Sequence, residues 1–397
     1  MSDPAFAVRP VAGARDWRAF HAVRRAIYRG DPAAVPPLAA EERLVLDSGR
    51  HPFWQHAERR AFVCWAGRRP VGRIVAILDR MHQEHCGDRT GFFGFFECPD
   101  EPAAAAALVE AAAGELAARG CDRMRGPVNP SMKGEFGVVV AGNAVPPAIM
   151  MAHTPAWYDG LLKGCGLAKA HDFFAFTIDS AGVSAQADAW QALARLCRRI
   201  RARHPELKVA PATAANVMET LAEITALANR VRESVWGFVP ITDAELAFLT
   251  RRVARIVMPE LVITVRRDGE MVGYLAALPD VNWALRRARG PIDALRLIQM
   301  PLLMRRIPRA RLFGLGADKR YRRAGITALL FQGMLENAAP RFRAFEFSWI
   351  AESNLDSLKA LTHVLPLQPS RTYRLYEMPL ATAGATGGAL AESGVPR

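Results

Sequence analysis

Three arginines lie between a short apolar strand and a helix in the C-terminal half of the chain. The pattern predicts a strand over residues 312–315, a basic loop carrying Arg320, Arg322 and Arg323, and a helix that begins near Ile326. A strand that leads into a helix N-terminus presents unpaired backbone N–H groups and the positive end of the helix dipole. With the arginines, these groups suit a diphosphate. The alternative is a solvated basic loop between two core elements.

The elements around this loop occur in the same order twice. Each half of the sequence predicts a strand, two helices, three strands, a helix, a strand, a helix and a final strand. The fold class is therefore α/β (α+β), with a duplicated domain. We predict domains at residues 1–185 and 186–381, and a disordered Gly- and Ala-rich tail at 382–397.

The corresponding loop of the first half has the opposite charge. Residues 97–102 read Glu-Cys-Pro-Asp-Glu-Pro, and they place three carboxylates where the second half has arginines. Carboxylates at a helix start stabilise the helix dipole but repel a diphosphate. We therefore predict that the second half binds the anionic ligand and that the first half is a degenerate partner.

Composition narrows the classes of partner. The formal net charge of +13 favours a polyanion, either nucleic acid, an anionic membrane surface or a phosphate-rich cofactor, although an Arg-rich chain can also reflect a GC-rich genome. Neither a helix-turn-helix nor a basic strand with interleaved aromatics is visible, which argues against nucleic acid. The six cysteines are scattered without metal-ligand spacing, so neither a metal site nor a disulfide framework is predicted.

The element order and the basic loop resemble the GNAT superfamily of acyl-CoA-dependent N-acyltransferases. Its diphosphate loop, Arg/Gln-x-x-Gly-x-Gly/Ala, is matched by Arg322, Gly325 and Thr327, with threonine in place of the last small residue. The resemblance implies tandem GNAT-like domains with mixed, mostly antiparallel sheets flanked by helices, acyl-CoA as co-substrate and an amine acceptor. The cofactor-binding residues that it implies are Leu315, Gly316, Arg320, Arg322, Arg323, Gly325, Ile326, Thr327 and Asn354, the last of which also suits a helix N-cap.

Longer stretches are similar to a bacterial two-domain group within this superfamily. They cover residues 91–101, 124–142, 146–176, 235–245 and 278–285. Bacterial ceramide synthases, which N-acylate a sphingoid base, are similar to that group. The resemblance thus implies a lipidic amine as the acceptor.

A basic apolar segment precedes the loop. Residues 283–311 contain eight arginines and one acid, with leucine, isoleucine and methionine interleaved. The pattern fits an interfacial segment on anionic lipid, or a core helix whose arginines line the surface or a phosphate site. With neither a signal peptide nor a run of about 20 apolar residues, the sequence predicts a cytoplasmic protein, either free or peripheral on the inner membrane.

Direct acyl transfer from a thioester to an amine needs a base, a group that polarises the thioester oxygen and an acid for the leaving thiolate. The resemblance implies that a backbone N–H near Leu315 or Gly316 polarises the oxygen. Glu352, at the end of a predicted strand, is the first candidate base, and His153 and Glu135 are alternatives from the first half. Tyr373 and Tyr158 are candidate acids, with core packing as the alternative for Tyr158. The tyrosine that the resemblance implies shortly after Asn354 is absent, and His363 could replace it as the acid.

Three functions are compatible with these patterns. The first is N-acylation of a lipidic amine, with ceramide synthesis as its most specific form. The second is N-acetylation of a small soluble amine or peptide. The third is a non-catalytic protein of this fold that binds a membrane or nucleic acid. The sequence does not predict an oligomeric state.

Overall fold

The computed structural model describes residues 6–36, 38–179, 187–231, 236–237, 239–288, 293–359, 361–362 and 367–381. The side chains of Arg322 and Arg323, residue His363 and the predicted tail at 382–397 lie outside the described part of the chain.

The predicted helices and strands occur in order, and the structure adds a helix at Arg80–Cys86, three short strands within residues 128–141 and two helices within residues 281–304. The α-helices are α1 Ala14–Ile27, α2 Ala39–Leu46, α3 Arg80–Cys86, α4 Pro102–Ala118, α5 Tyr158–Gly164, α6 Ala187–Arg203, α7 Val217–Val231, α8 Asp243–Val253, α9 Val281–Arg287, α10 Asp293–Met304, α11 Ile326–Ala338 and α12 Leu355–Lys359. Short 3-10 helices cover Pro52–Gln55, Pro259–Leu261 and Lys319–Ala324. The strands are β1 Phe6–Pro10, β2 Ala57–Ala66, β3 Arg69–Asp79, β4 Thr90–Glu97, β5 Arg123–Gly126, β6 Val128–Asn129, β7 Glu135–Phe136, β8 Val138–Ala141, β9 Ala168–Asp179, β10 Leu207–Pro211, β11 Val262–Arg267, β12 Glu270–Pro279, β13 Arg309–Ala317, β14 Ala344–Ala351 and β15 Pro369–Pro379.

One 13-stranded sheet runs through both halves. Its order is β1-β2-β3-β4-β5-β15-β9-β14-β13-β12-β11-β10, with β8 beside β15, while β6 and β7 pair with each other. The neighbours β4 and β5 are parallel, as are β13 and β14, and the other pairs in the described sheet are antiparallel. The predicted mixed, mostly antiparallel sheet is confirmed.

The two halves exchange their last strands at the centre of this sheet. Strand β15, the last of the second half, pairs with β5 of the first half, and β9, the last of the first half, pairs with β14 of the second. The two exchanged strands also pair with each other. Each half therefore completes its sheet with a strand from the other half.

Helices cover both faces of the sheet. In the first half, Leu108 of α4 and Leu162 of α5 pack on one face, and Phe20 of α1 and Leu46 of α2 pack on the other. The second half repeats this arrangement, with α6 and α11 on one face and α7 and α8 on the other. Because both faces are covered, central strands such as β4 and β12 read as nearly continuous apolar runs.

The segment at 283–311 forms two helices, α9 and α10, between β12 and β13. Within the described residues no helix has the length and hydropathy to cross a bilayer.

Candidate active site

A gap opens in the second half where β13 and β14 separate. The two strands pair in parallel over Arg309–Leu312 and Ala344–Phe347. Beyond that point β13 stays paired with β12, whereas β14 pairs with β9. The register of β13 shifts at Phe313, and Leu315, Gly316 and Ala317 beyond it are partly exposed. The inner edge of β13 therefore faces an accessible gap.

The far end of β13 leads into a helix N-terminus. After the 3-10 turn Lys319–Ala324, Gly325 adopts a left-handed conformation (φ 75°, ψ 23°) and α11 begins at Ile326. A Cβ atom on Gly325 would overlap Ile200 Cδ1 of α6, so both the backbone angles and the close approach require glycine here. The first-turn N–H groups of α11, including those of Ile326 and Thr327, have no acceptor within the helix. Such N–H groups can bind an anion, and the predicted diphosphate site at this helix start stays a prediction.

Arg320 does not extend freely from this loop. Its Nη2 donates to Glu270 Oε1 at 2.7 Å and to Asp318 Oδ2 at 2.8 Å. The side chain is 59% exposed, so these carboxylates neutralise Arg320 on the surface. A direct contact between Arg320 and a diphosphate stays a prediction.

The equivalent gap of the first half is filled by the chain itself. All residues of β4 are buried, and a Cβ atom on Gly94 would overlap the carbonyl oxygen of Val128. The N–H of Phe95 donates to Asn129 Oδ1 at 2.6 Å. The N–H of Cys98 donates to the hydroxyl of Tyr158 at 3.0 Å. Strand β6 and helix α5 thus occupy the space that is open in the second half.

Tyr158 is one of the residues that fill the gap of the first half. Its side chain is 1% exposed, and its hydroxyl donates to Glu97 Oε2 at 2.7 Å. Tyr158 therefore lies in the first-half core, in line with the alternative for this residue, and not at the open gap.

Glu352 lies where β14 ends against β9. Its Oε2 accepts from Lys169 Nζ at 2.6 Å, and its Oε1 accepts from the N–H of Asp172 at 3.1 Å. Both carboxylate oxygens are thus held by β9. Asn354 is exposed and its Oδ1 accepts from the N–H of Ser357 at 3.2 Å, so it caps α12.

Glu135 lies between the two halves. Its Oε2 is 3.9 Å from Arg24 Nη2, and its side chain is 37% exposed. Burial raises the pKa of Glu135; Arg24 opposes the shift, and the charges of Glu97 and Glu42 add to it. Arg311, on β13, also acts on this carboxyl group. The carboxyl group is accessible to solvent, and its raised pKa suits a proton acceptor.

Aromatic side chains connect Glu135 with the open gap. Phe136, its neighbour on β7, packs on Trp349 of β14 with ring centroids 4.1 Å apart. The guanidinium of Arg311 lies 4.6 Å from the centre of the Trp349 ring. Arg311 is itself 1% exposed and donates to Ser348 Oγ at 2.8 Å. Phe136 and Trp349 therefore link Glu135 to Arg311, near the start of β13.

His153 forms a buried pair with Asp31. Its Nε2 lies 2.7 Å from Asp31 Oδ2, and its side chain is 7% exposed. Burial lowers the pKa of His153 despite the hydrogen bond with Asp31. Burial raises the pKa of Asp31, but the hydrogen bond with His153 lowers it, and the net shift is downward. Asp31 is thus a carboxylate that accepts from Nε2–H, which leaves the lone pair on Nδ1, an atom with no hydrogen-bond partner within the described structure.

The chain that leads to His153 is held by charged side chains of the second half. Asp280 Oδ1 accepts from the N–H of Ile149 at 2.8 Å, and Arg311 Nη1 donates to the carbonyl of Ile149 at 2.9 Å. Arg371 Nη1 donates to the carbonyl of Ala152 at 3.2 Å. Arg24 acts electrostatically on both His153 and Glu135, so the structure brings these two candidates to one region.

Tyr373 lies on β15 beside Arg371 and is 1% exposed. Burial raises the pKa of its hydroxyl above the ordinary value. Its ring centroid is 6.5 Å from that of Trp349. Tyr373 is therefore close to the base candidates but enclosed.

Sequence reasoning did not assign a role to Arg24 or Asp31. It placed Arg311 in the basic segment 283–311, whereas the structure buries Arg311 in β13. Arg24 and Asp31 carried no signal, because a surface helix and a loop commonly contain both residue types.

No known protein-family profile matches the chain. Two proteins are similar to it over nearly its whole length. The bacterial ceramide synthase of Caulobacter vibrioides is 29% identical over 386 residues, which cover 94% of this chain and 97% of that protein. Protein YghO of Escherichia coli strain K12 is 29% identical over 377 residues, which cover 93% and 94% of the two chains.

Solved structures support the same fold. A tandem GNAT protein from the clavulanic acid biosynthesis pathway, solved without acetyl-CoA, superposes with a TM-score of 0.52 at 13% identity and covers 95% of this chain and 99% of its own. The predicted tandem GNAT-like fold and the predicted resemblance to bacterial ceramide synthases are confirmed.

Proposed function

We propose that this chain, a tandem GNAT N-acyltransferase similar over its full length to a bacterial ceramide synthase, transfers a fatty acyl group from acyl-CoA to the amine of a lipid. The specific acceptor that we propose is a sphingoid base. Acyl-CoA binds to the second half, and the first half contributes the base and part of the acceptor pocket.

One observation carries the proposal: the gap beside β13 is open, whereas the gap beside β4 is filled. Leu315, Gly316 and Ala317 are partly exposed on β13, and every residue of β4 is buried. The open gap also leads to the N-terminus of α11, where backbone N–H groups can bind a diphosphate. The filled gap leads to α4, which begins with Pro102, a residue that has no N–H to donate.

The reaction proceeds by direct transfer. The neutral amine attacks the thioester carbonyl, whose oxygen accepts a hydrogen bond from a backbone N–H of β13 near Leu315 or Gly316. Glu135 removes one proton from the attacking nitrogen. The C–N bond forms, the C–S bond breaks, and the CoA thiolate leaves and takes up the proton that Glu135 removed, which regenerates the carboxylate. Glu135 is preferred over His153 as the base because its side chain is accessible, whereas the free Nδ1 of His153 is buried.

The region around Glu135 also suits an acceptor with an apolar part. Phe136 and Phe173 pack with ring centroids 4.9 Å apart, and Trp349 stacks on Phe136. Phe136 and Phe173 are buried, so the partly exposed Trp349 is the ring of these three that can contact an alkyl chain near the carboxylate. The relative's name adds the sphingoid class to this argument.

The test is an assay with purified protein, a long-chain acyl-CoA and either a sphingoid base or a soluble primary amine such as spermidine. We expect mass spectrometry to detect an N-acylated sphingoid base in amounts that match the CoA released. Acylation of spermidine in place of the sphingoid base would contradict the lipidic acceptor. CoA release without any N-acyl product, or no turnover with any amine, would contradict the proposed function.

A further inference from the structure

Helix α10 presents an apolar stripe to solvent. Leu295, Ile298 and Leu302 are 45%, 75% and 58% exposed, and their spacing places them on one side of the helix. Leu297, on a different side of the helix, is 51% exposed. Among the described residues, these four make up half of the large apolar side chains that are exposed. A concentration of this kind on one helix marks an interaction surface.

The opposite side of α10 fixes this orientation. Met300, Leu303 and Met304 pack against the core of the second half. The helix is therefore anchored by one face, and the apolar stripe points outward because the anchored residues occupy the other face. The stripe is a fixed surface of the folded protein.

Arginines stand at both ends of the stripe. Arg286 and Arg287 end helix α9, and Arg305 and Arg306 follow α10; all four side chains are exposed. Asp293 is the single acid in the sequence between Val281 and Ile307. An apolar helix face bounded by arginines matches the boundary of an anionic bilayer, where acyl chains meet lipid phosphates.

The position of α10 relative to the gap fits delivery of a lipid. Helix α10 precedes the start of β13, and the candidate diphosphate loop follows its end. The two ends of this nine-residue strand lie about 27 Å apart. The shift at Phe313 falls near the middle. A membrane lipid and the nucleotide of acyl-CoA can therefore approach the centre of β13 from opposite ends.

We propose that α10 docks the protein on a bilayer that contains anionic lipid. Leu295, Ile298 and Leu302 enter the acyl-chain region, and Arg287, Arg305 and Arg306 contact headgroup phosphates. The inference deepens the proposed function and rests on it in one respect, because the lipidic acceptor is taken from the docked bilayer.

The docking is tested by flotation of the full chain with phosphatidylcholine vesicles, with or without phosphatidylglycerol. We expect the wild type to float with phosphatidylglycerol vesicles. The triple variant Leu295→Ser, Ile298→Ser and Leu302→Ser should lose at least tenfold in affinity. Arg305→Gln with Arg306→Gln should lose roughly fivefold per arginine. The matched controls are Leu196→Ser, which changes an exposed leucine on α6, and Arg68→Gln with Arg69→Gln, which change exposed arginines in the β2–β3 turn.

Three results would overturn the docking. The first is equal flotation of the wild type and the triple variant, and the second is no flotation of the wild type. A concentration-dependent dimer that the triple variant converts to monomer, without vesicle binding, would assign α10 to a second copy of the chain and would also overturn it.

A comparison of acceptor presentation separates the docking from the proposed function. With the sphingoid base in detergent micelles, the triple variant should match the wild type, and with the base in vesicles it should lose at least tenfold in rate. If the wild type floats but acylates nothing in either form, the proposed function fails and the docking stands. If it acylates the micellar base but does not float, the docking fails and the proposed function stands.

Discussion

Glu135 is the residue on which the proposed chemistry depends. Its carboxyl group is enclosed by charged neighbours of both halves and still reaches solvent, a combination that follows from its place on β7 between Arg24 and Arg311. The sequence named Glu135 as an alternative and preferred Glu352, because a carboxylate at the end of a strand commonly faces a cleft. In the structure β9, the partner strand of β14, supplies Lys169, which binds Glu352 and led us to prefer Glu135. β9 and β14 are far apart in the sequence, and a local residue pattern does not predict that they pair.

Replacing Glu135 with glutamine tests its role. We expect Glu135→Gln to lower kcat roughly a hundredfold or more, because glutamine cannot accept the proton of the amine. The wild-type rate should rise with pH as the carboxyl ionises. Since the pKa of Glu135 is raised, this rise should lie above the ordinary range of a glutamate, and the variant should lack it. The measurement is the pH profile of kcat for both proteins.

The same profile for His153→Gln is the control. The imidazole of His153 is buried against Asp31, and we expect its loss to change kcat by less than the loss of Glu135 does. A larger decrease in His153→Gln, with an unaltered profile in Glu135→Gln, would assign the base to the histidine.

At the scale of elements, the sequence allowed us to predict the strand–loop–helix unit β13–α11. It did not allow us to predict that other segments fill the corresponding gap of the first half. The helix at Ile326 and the preceding strand follow from local apolar periodicity and a glycine at the turn. For the first half the sequence pointed to repulsion by acids at residues 97–102. The structure adds a steric reason, since β6 and Tyr158 occupy the gap. That filling depends on contacts between distant segments.

Gly325 sets the angle between the loop and α11. We expect Gly325→Ala to lower the free energy of unfolding by about 2–4 kcal/mol, because alanine meets both a left-handed backbone and the side chain of Ile200. Gly67→Ala is the matched control, since its φ of 60° is also positive but no atom lies within 4 Å of the added Cβ. Gly67→Ala should lower the free energy of unfolding by about 1 kcal/mol. Urea denaturation measures both.

The double variant Gly325→Ala with Ile200→Ala identifies the steric part. In the Ile200→Ala background, Gly325→Ala should lower the free energy of unfolding by about as much as Gly67→Ala lowers it in the wild type. An undiminished cost in the Ile200→Ala background would refute the contact as the cause.

At the scale of the whole molecule, the two halves depend on each other through the exchange of β9 and β15. The sequence predicted two successive domains, and the repeated element order supports that division. The sheet nevertheless places the last strand of each half in the other, because the pairing of edge strands is decided by the assembled sheet and not by order along the chain.

Separating the halves tests this dependence. We expect residues 1–185 and residues 186–397, each produced alone, to lack cooperative unfolding, since each leaves strands without their central neighbour. Produced together, they should associate into one folded complex. The intact chain cleaved between residues 180 and 186 after folding is the control and should stay associated. Cooperative unfolding of either half alone, measured by circular dichroism, would contradict the exchange.

A histidine couples the halves in a pH-dependent manner. His56 of the first half lies 3.0 Å from Asp79 and 3.7 Å from Glu245 of the second half. Burial lowers the pKa of His56, but these two carboxylates outweigh it and raise the pKa to about 9. A folded-state pKa above the unfolded value stabilises the protein below pH 6.5, and the stabilisation is lost as the pH rises through 9.

We therefore expect the free energy of unfolding to fall by on the order of 2 kcal/mol between pH 6.5 and 9. His56→Gln should remove this decline, whereas His204→Gln, which alters a histidine paired with Glu206 in the second half alone, should retain it. Chemical denaturation at a series of pH values measures how the free energy of unfolding of each protein changes with pH. Parallel slopes for the wild type and His56→Gln would contradict the coupling.

The most direct test of the central claim is titration calorimetry of acyl-CoA with paired charge variants at the two helix starts. Thr327 and Ala103 are both exposed and both occupy the second position of their helices, α11 and α4. A glutamate at either position favours the helix dipole, so the fold should tolerate both changes. The account predicts one site per chain in the wild type, a Kd raised roughly tenfold or more in Thr327→Glu, and an unchanged Kd in Ala103→Glu. Weakened binding in Ala103→Glu with normal binding in Thr327→Glu would place acyl-CoA in the first half and contradict the account.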